Sequence, residues 1–145
     1  MAFHNIYDIA GSAMRAQSVR LNTVASNLAN ANSAAGSEED AFRAIKPVFA
    51  SLYQSLETRS PVTSQRLAAA SVGIAGVTES DRAIERRHEP GSPIADGDGY
   101  VYYSNVNVVE EMADMMSASR NFQTSVDMVS RVNSMQQGLL RLGQS

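Results

Sequence analysis

Two stretches, one at each end of the chain, carry apolar residues at helical spacing, and each is longer than a small domain is wide. In the first, Phe3, Tyr7, Ala10, Met14, Leu21, Val24 and Leu28 form a stripe in which Gln17 is the polar member. Steps of four and three residues give the 3.5-residue period of a helix seam. Ile6, Ile9, Ala13 and Ala16 widen the face, and only Asp8, Arg15 and Arg20 are charged. A helix so poor in charge is made to be touched on several sides. The spacing predicts a helix from Phe3 to about Asn30, ~40 Å long at about 1.5 Å per residue.

The second stretch starts at Asn107, which with Glu110 three residues on resembles a capping box. Its seam reads Val108, Met112, Met115, Ser119, Phe122, Val126 and Val129. It continues through Val132, Met135, Leu139 and Leu142, where three-residue steps turn the stripe around the helix. Glu110, Glu111 and Asp114 near the start, and Arg131 and Arg141 toward the end, suit the helix dipole. Gly143 is placed to end a helix of roughly 50 Å. Met112, Met115, Met116, Met128 and Met135 suit either a core or a surface that adapts to several neighbours.

The middle has another texture. Ser33–Asp40 reads as a polar linker, and Pro47–Tyr53 as a strand that competes with a helix over Ala41–Leu56. Thr58–Ser71 reads as loop, Val72–Thr78 as strand, Glu89–Gly99 as irregular and Tyr100–Tyr103 as strand. The chain therefore divides into a helix at 1–32, a small β-rich middle domain of three or four strands at 33–104, and a long helix at 105–145. The expected fold class is α+β, with the terminal helices pairing as a coiled coil. Helices longer than the core between them cannot bury their broad faces on it, so the surplus surface asks for partner chains.

Composition narrows the function. Acids outnumber bases 15 to 12 and Lys46 is the one lysine, which excludes a nucleic-acid binder with a basic face. The absence of cysteine excludes disulfides, Cys-ligated zinc and thiol nucleophiles. His4, Asn5 and Asp8 interrupt any apolar run at the start, so no cleavable signal peptide is expected and export would use another route. Asp96-Gly-Asp98-Gly fails as a calcium loop because Tyr100 and Asn107 hold the positions of further ligands. It reads better as a turn. His4 and His88 have no paired ligand at helical spacing, no serine sits in a nucleophile elbow, and the glycine pairs make no phosphate loop. Neither an enzyme, a cofactor, a metal site nor a small-molecule substrate is expected.

Asn27 and Asn30 lie three apart on one helical face, where their amides can bond to neighbours. The surrounding Ala25-Ser-Asn-Leu-Ala-Asn-Ala-Asn-Ser33 resembles the N-terminal signature A-x-N-L-A-N-x-x-T of the bacterial flagellar rod and hook axial family. Residues 97–112, GDGYVYYSNVNVVEEM, resemble the D-G-Y-V-x-x-P-N-V-N-x-x-E-E-M pattern of its proximal-rod members. Met115 and Ala118-Ser-Arg120-Asn-Phe122 fit the M-x-x-A-x-R-x-Y that follows. Ser33, Ser104, Phe122 and Ser125 depart from the usual threonine, proline, tyrosine and asparagine.

The resemblance implies a structural subunit of the proximal rod, the drive shaft that crosses the periplasm within the basal body. It implies helical stacking around a central channel, terminal helices forming the inner tube, torque transmission, and export by the flagellar type III apparatus. The implied partners are other proximal rod proteins, the adaptor at the membrane-ring end and further copies of the chain. The expected assembly interface comprises Phe3, Tyr7, Met14, Leu21, Val24, Asn27, Leu28 and Asn30 on the first helix. On the second it comprises Val108, Met112, Met115, Phe122, Val126, Val129, Met135 and Leu139. Another rod or hook subunit, and a secreted helical tip or binding module, are the alternative readings.

Overall fold

In the computed structural model, which describes residues 2–55 and 68–143, the charge-poor N-terminal stripe folds as α1, Ala2–Ala29. Its end is made by asparagine and serine side chains, which supply donors to carbonyls that have no partner further along the helix. Asn30 Nδ2 donates to the Ser26 carbonyl at 2.9 Å, and Ser33 Oγ to the Asn30 carbonyl at 2.7 Å. The chain then forms five strands among the described residues: β1 (Ala34–Ala35), β2 (Ile45–Ser55), β3 (Ala68–Glu79), β4 (Glu85–His88) and β5 (Tyr100–Tyr103). Helix α2, Val108–Leu142, closes the order. The fold class is α+β, as expected.

The strands make two separate antiparallel sheets. β2 and β3 form a long ribbon whose register runs from Ile45 opposite Glu79 to Ser55 opposite Ala68. The register slips between Val48 and Phe49, where β3 carries one extra residue. The second sheet has the order β1-β5-β4, with β1 following α1 and β5 preceding α2 in the chain. Val101 of its central strand is fully buried.

Several expectations change here. Ala41–Leu56 does not compete as helix: alternation and β-branching win, and β2 is longer than predicted. β3 starts at Ala68, so the last residues of the expected Thr58–Ser71 loop are strand, while 56–67 lie outside the described residues. β1 lies inside the segment read as linker, and β4 was not expected. Glu85-Arg-Arg-His88 shows no apolar alternation, and its strand is held by register with Tyr100–Tyr103.

α1 packs against both α2 and the ribbon, and Lys46 of β2 reaches across to Glu110 of α2. The double packing of α1 explains why its buried residues are small: Ala10, Ser12, Ala16, Thr23 and Val24 let two neighbours approach the same helix. The helices run antiparallel, tied by Tyr7 Oη donating to Gln136 Oε1 at 3.1 Å and by Arg20 to Asp114 at 2.6 Å. No helix among the described residues is long and apolar enough to cross a membrane.

Candidate assembly interface

The side chains that hold the two helices to the ribbon come from the two asparagine-rich segments. Asn27, 1% exposed, donates through Nδ2 to the Ile45 carbonyl and accepts from the Ile45 N–H, both at 2.9 Å. A side-chain amide thus does what an edge strand would do for the first residue of β2. Asn105 clamps the other side of the ribbon's base. Its Oδ1 accepts from Ala44 N–H at 2.7 Å, and its Nδ2 donates to the carbonyls of Ser80 and Arg82. Further along α1, Ser12 Oγ accepts from Val72 N–H at 3.3 Å, which ties the helix to β3.

α2 is capped by Asn107, whose Oδ1 accepts from Val109 and Glu110 N–H. The reciprocal half of the expected capping box is not made, because Glu110 turns to other partners. It accepts from Arg82 through two bonds of 2.6 and 3.3 Å and from Lys46 at 3.2 Å. Arg82, and then Lys46, hold the Glu110 carboxyl below its ordinary range. Gly143 ends the helix, but at φ −80°, so its freedom to adopt positive φ is unused.

Of the departures from the family pattern, Ser104 has a local account. Ser104 N–H donates to the Ser33 carbonyl at 3.3 Å, a bond that proline could not make. Ser104 Oγ accepts from Val106 N–H at 3.2 Å. The Asp96–Gly99 segment is a turn: Asp96 Oδ1 accepts from the N–H groups of Asp98 and Tyr100, and Tyr102 Oη donates to Oδ2. These bonds, chiefly that from Tyr100, lower the Asp96 pKa. Gly99 takes φ +79°, and a Cβ there would meet Pro90 at 3.1 Å.

The expected interface residues divide by exposure. Val24 and Asn27 are buried within the chain. Tyr7, Met14, Leu21, Leu28 and Asn30, with Val108, Met115, Phe122 and Val129, are half-buried. Met112, Val126, Met135 and Leu139 are exposed, and the side chain of Phe3 lies outside the described residues. On α2 the buried and half-buried positions Glu111, Met115, Ala118, Phe122, Ser125, Val129, Val132 and Gln136 form a heptad track, with Val108, Glu110 and Asp114 also half-buried near its start. This track shares Met115, Phe122, Val129 and Val132 with the expected seam, and has Glu111, Ala118, Ser125 and Gln136 where the seam had Met112, Ser119, Val126 and Met135. The track that packs on α1 contains Glu111, Ser125 and Gln136, whereas much of the apolar stripe points away.

That outward stripe is extensive. Val109, Met116, Leu140 and Leu142 on α2 are 62–77% exposed, and Val48, Phe49, Leu52, Val72, Ile74 and Val77 add apolar surface on the ribbon. The ribbon surface, Asn105 and the Arg82–Glu110–Lys46 cluster were not expected from the sequence. The SNVN segment around Asn105 was visible as a motif, but its clamping role depends on strands distant in the chain.

Comparison with known proteins bears on both ends and on the whole length. Residues 8–36 match the family model described as "Flagella basal body rod protein", and residues 98–142 that described as "Flagellar basal body rod FlgEFG protein C-terminal". The flagellar basal-body rod protein FlgC of Salmonella typhimurium strain LT2 is 44% identical over 99% of this chain and 100% of its own length. The FlgC proteins of Escherichia coli O6:H1 and Yersinia enterocolitica are 44% and 38% identical over the same shares.

Proposed function

The chain belongs to the FlgC family of flagellar basal-body rod proteins, and from that premise we propose how its surfaces build the rod. It is a structural subunit of the rod, located in the basal body of the bacterial flagellum, and its family is not an enzyme family. Its assembly partners are other flagellar rod proteins.

The observation that carries the proposal is the outward apolar stripe of α2, with Met112, Met116, Val126, Met128, Met135, Leu139, Leu140 and Leu142 all 42–75% exposed. Burying each such side chain is worth about 1.5–3 kcal/mol, which nothing in the single chain supplies. Residues 1–32 and 105–145 form the inner wall of the rod around the export channel, and residues 33–104 face outward. The stripe packs against helices of neighbouring subunits: proximal rod proteins, further copies of the chain and, at the base, the membrane-ring adaptor. Delivery by the type III apparatus completes the reading.

A helical stack needs two different complementary faces on each subunit. The exposed apolar residues of α2 and those of the ribbon supply them. Torque passes through many packed side chains in parallel, without catalysis. The test is deletion of the gene with complementation: loss of flagella, and recovery of the complementing chain in purified basal bodies, are expected. Normal flagella in the deletion strain would overturn the reading.

A further inference from the structure

Five of the seven methionines, Met112, Met115, Met116, Met128 and Met135, lie on α2, and the chain has neither cysteine nor tryptophan. With no thiol to react ahead of them, the thioethers are the groups on which a two-electron oxidant acts first. Four of the five stand open to solvent: Met112 is 53% exposed, Met116 62%, Met128 47% and Met135 51%. Met115, and Met14 on α1, are half-buried. Met112 and Met116 are one helical turn apart and Met128 and Met135 two turns apart, so each pair shares a side of the helix. Met128 and Met135 line an open groove of about 430 Å³ with Thr124 and Val132, ample for a small oxidant to reach both sulfurs.

Oxidation changes the chemistry of this face. A methionine side chain packs as a flexible apolar filler against neighbours of different shape. Its sulfoxide carries a strong acceptor oxygen, which opposes burial in an apolar contact that offers no donor. The residues open to oxidant in the single chain are thus the ones on which the added oxygen does most harm to packing between chains.

We propose that Met112, Met116, Met128 and Met135 form a modification site for hydroperoxide oxidants, and that their conversion to sulfoxides before incorporation stops the α2 face from assembling. The proposal rests on the rod reading, which sets this face against neighbouring subunits. In each step the sulfur lone pair attacks one peroxide oxygen. The S–O bond forms as the O–O bond breaks, sulfur gives two electrons to the peroxide, and the proton on the transferred oxygen passes to the departing hydroxide, which leaves as water. A thiol-dependent sulfoxide reductase reverses the change in the free chain. Once packed in the rod, the same sulfurs are shielded.

Hydrogen peroxide is the probe. In the purified full chain, peptide mass spectrometry is expected to show sulfoxide forming at Met112, Met116, Met128 and Met135 at least roughly threefold faster than at Met14 and Met115. In isolated basal bodies the four are expected to react at least roughly tenfold more slowly than in the free chain. The chain carrying Met112→Gln, Met116→Gln, Met128→Gln and Met135→Gln, where an amide of similar length stands for the sulfoxide, is expressed in the deletion strain. Its urea midpoint as free protein is expected to match wild type, because these side chains are already open to water, while its amount in basal bodies falls at least roughly tenfold. Equal rates at all six methionines, unslowed oxidation in basal bodies, or the glutamine variant incorporated at the wild-type level overturns the proposal and leaves rod membership in place. So does a loss of incorporation matched by a lowered midpoint, which would make the lesion one of folding. A wild-type chain missing from basal bodies would remove the rod reading itself.

Discussion

Replacing Asn27 with alanine tests how the helices are fastened to the ribbon. The change removes both bonds to Ile45, each 2.9 Å long, from a residue that is 1% exposed. The Ile45 N–H and carbonyl then lose their partners. A buried group left unsatisfied costs about 1–3 kcal/mol. Ile45 is only half-buried, so water recovers part of this, and the lower part of the range applies to each group. The expected loss is about 2–4 kcal/mol in all, a large share of the 5–15 kcal/mol typical of a domain. With a urea slope of about 2 kcal/mol per molar, the midpoint of the purified full chain falls by about 1–2 M. Amide exchange at Ile45 should speed up together with it. Asn27→Asp discriminates further, because a carboxylate still accepts from Ile45 N–H but meets the Ile45 carbonyl with no donor. Burial raises the pKa of that carboxyl, so N27D should be most stable at acid pH and lose stability as pH rises through the raised value. A midpoint shift below about 0.3 M for Asn27→Ala, with Ile45 exchange unchanged, would refute the clamp.

Other expectations follow from the same contacts. Gln17 Oε1 is buried without a hydrogen-bond partner, so Gln17→Leu should raise stability by about 1 kcal/mol, read as a higher urea midpoint. Gly99→Ala places a Cβ at φ +79° against Pro90 and should cost about 1–3 kcal/mol, seen as faster amide exchange across β4 and β5. Glu110 has a folded pKa depressed chiefly by Arg82, so its contribution is fully present above its ordinary value of 4.5 and lost as pH falls through the lowered one. Glu110→Gln should therefore lower stability at neutral and alkaline pH by that contribution and flatten the acid limb of the stability–pH curve.

The sequence made the helices legible because their periodicity is local: a face repeats every three or four residues whatever lies across from it. It also made the cap at Asn107 and the turn at Asp96 legible, since both depend on residues close in the chain. The polar members of the α2 track were not legible. Glu111, Ser125 and Gln136 face α1 because Arg20, Tyr7 and the small residues of α1 fix the azimuth of the pair, and hydrophobicity alone points to the outward stripe. β4 was hidden for a related reason. Its arginines are covered by aromatic rings of β5, distant in the chain: Arg86 lies 3.6 Å from the centre of the Tyr100 ring, and Arg87, paired within the strand to Glu85, covers Tyr103. The role of Asn27 fell between the two, for its burial was signalled by its place on the apolar face but its partner, Ile45, was not.

The misfit between stripe and seam is what an assembling subunit requires. If the outward residues are the intermolecular contact, a charge placed among them should block the rod and spare the chain. The most direct measurement is the amount of Met112→Asp/Leu139→Asp chain in basal bodies purified from the complemented deletion strain, beside its urea midpoint as free protein. Both residues are more than half exposed, at 53% and 54%, so the midpoint should stay within about 0.5 kcal/mol equivalent of wild type. The chain should nonetheless be absent from basal bodies and the cells non-motile. Wild-type incorporation and swimming with both aspartates in place would contradict the assignment of this face to the rod.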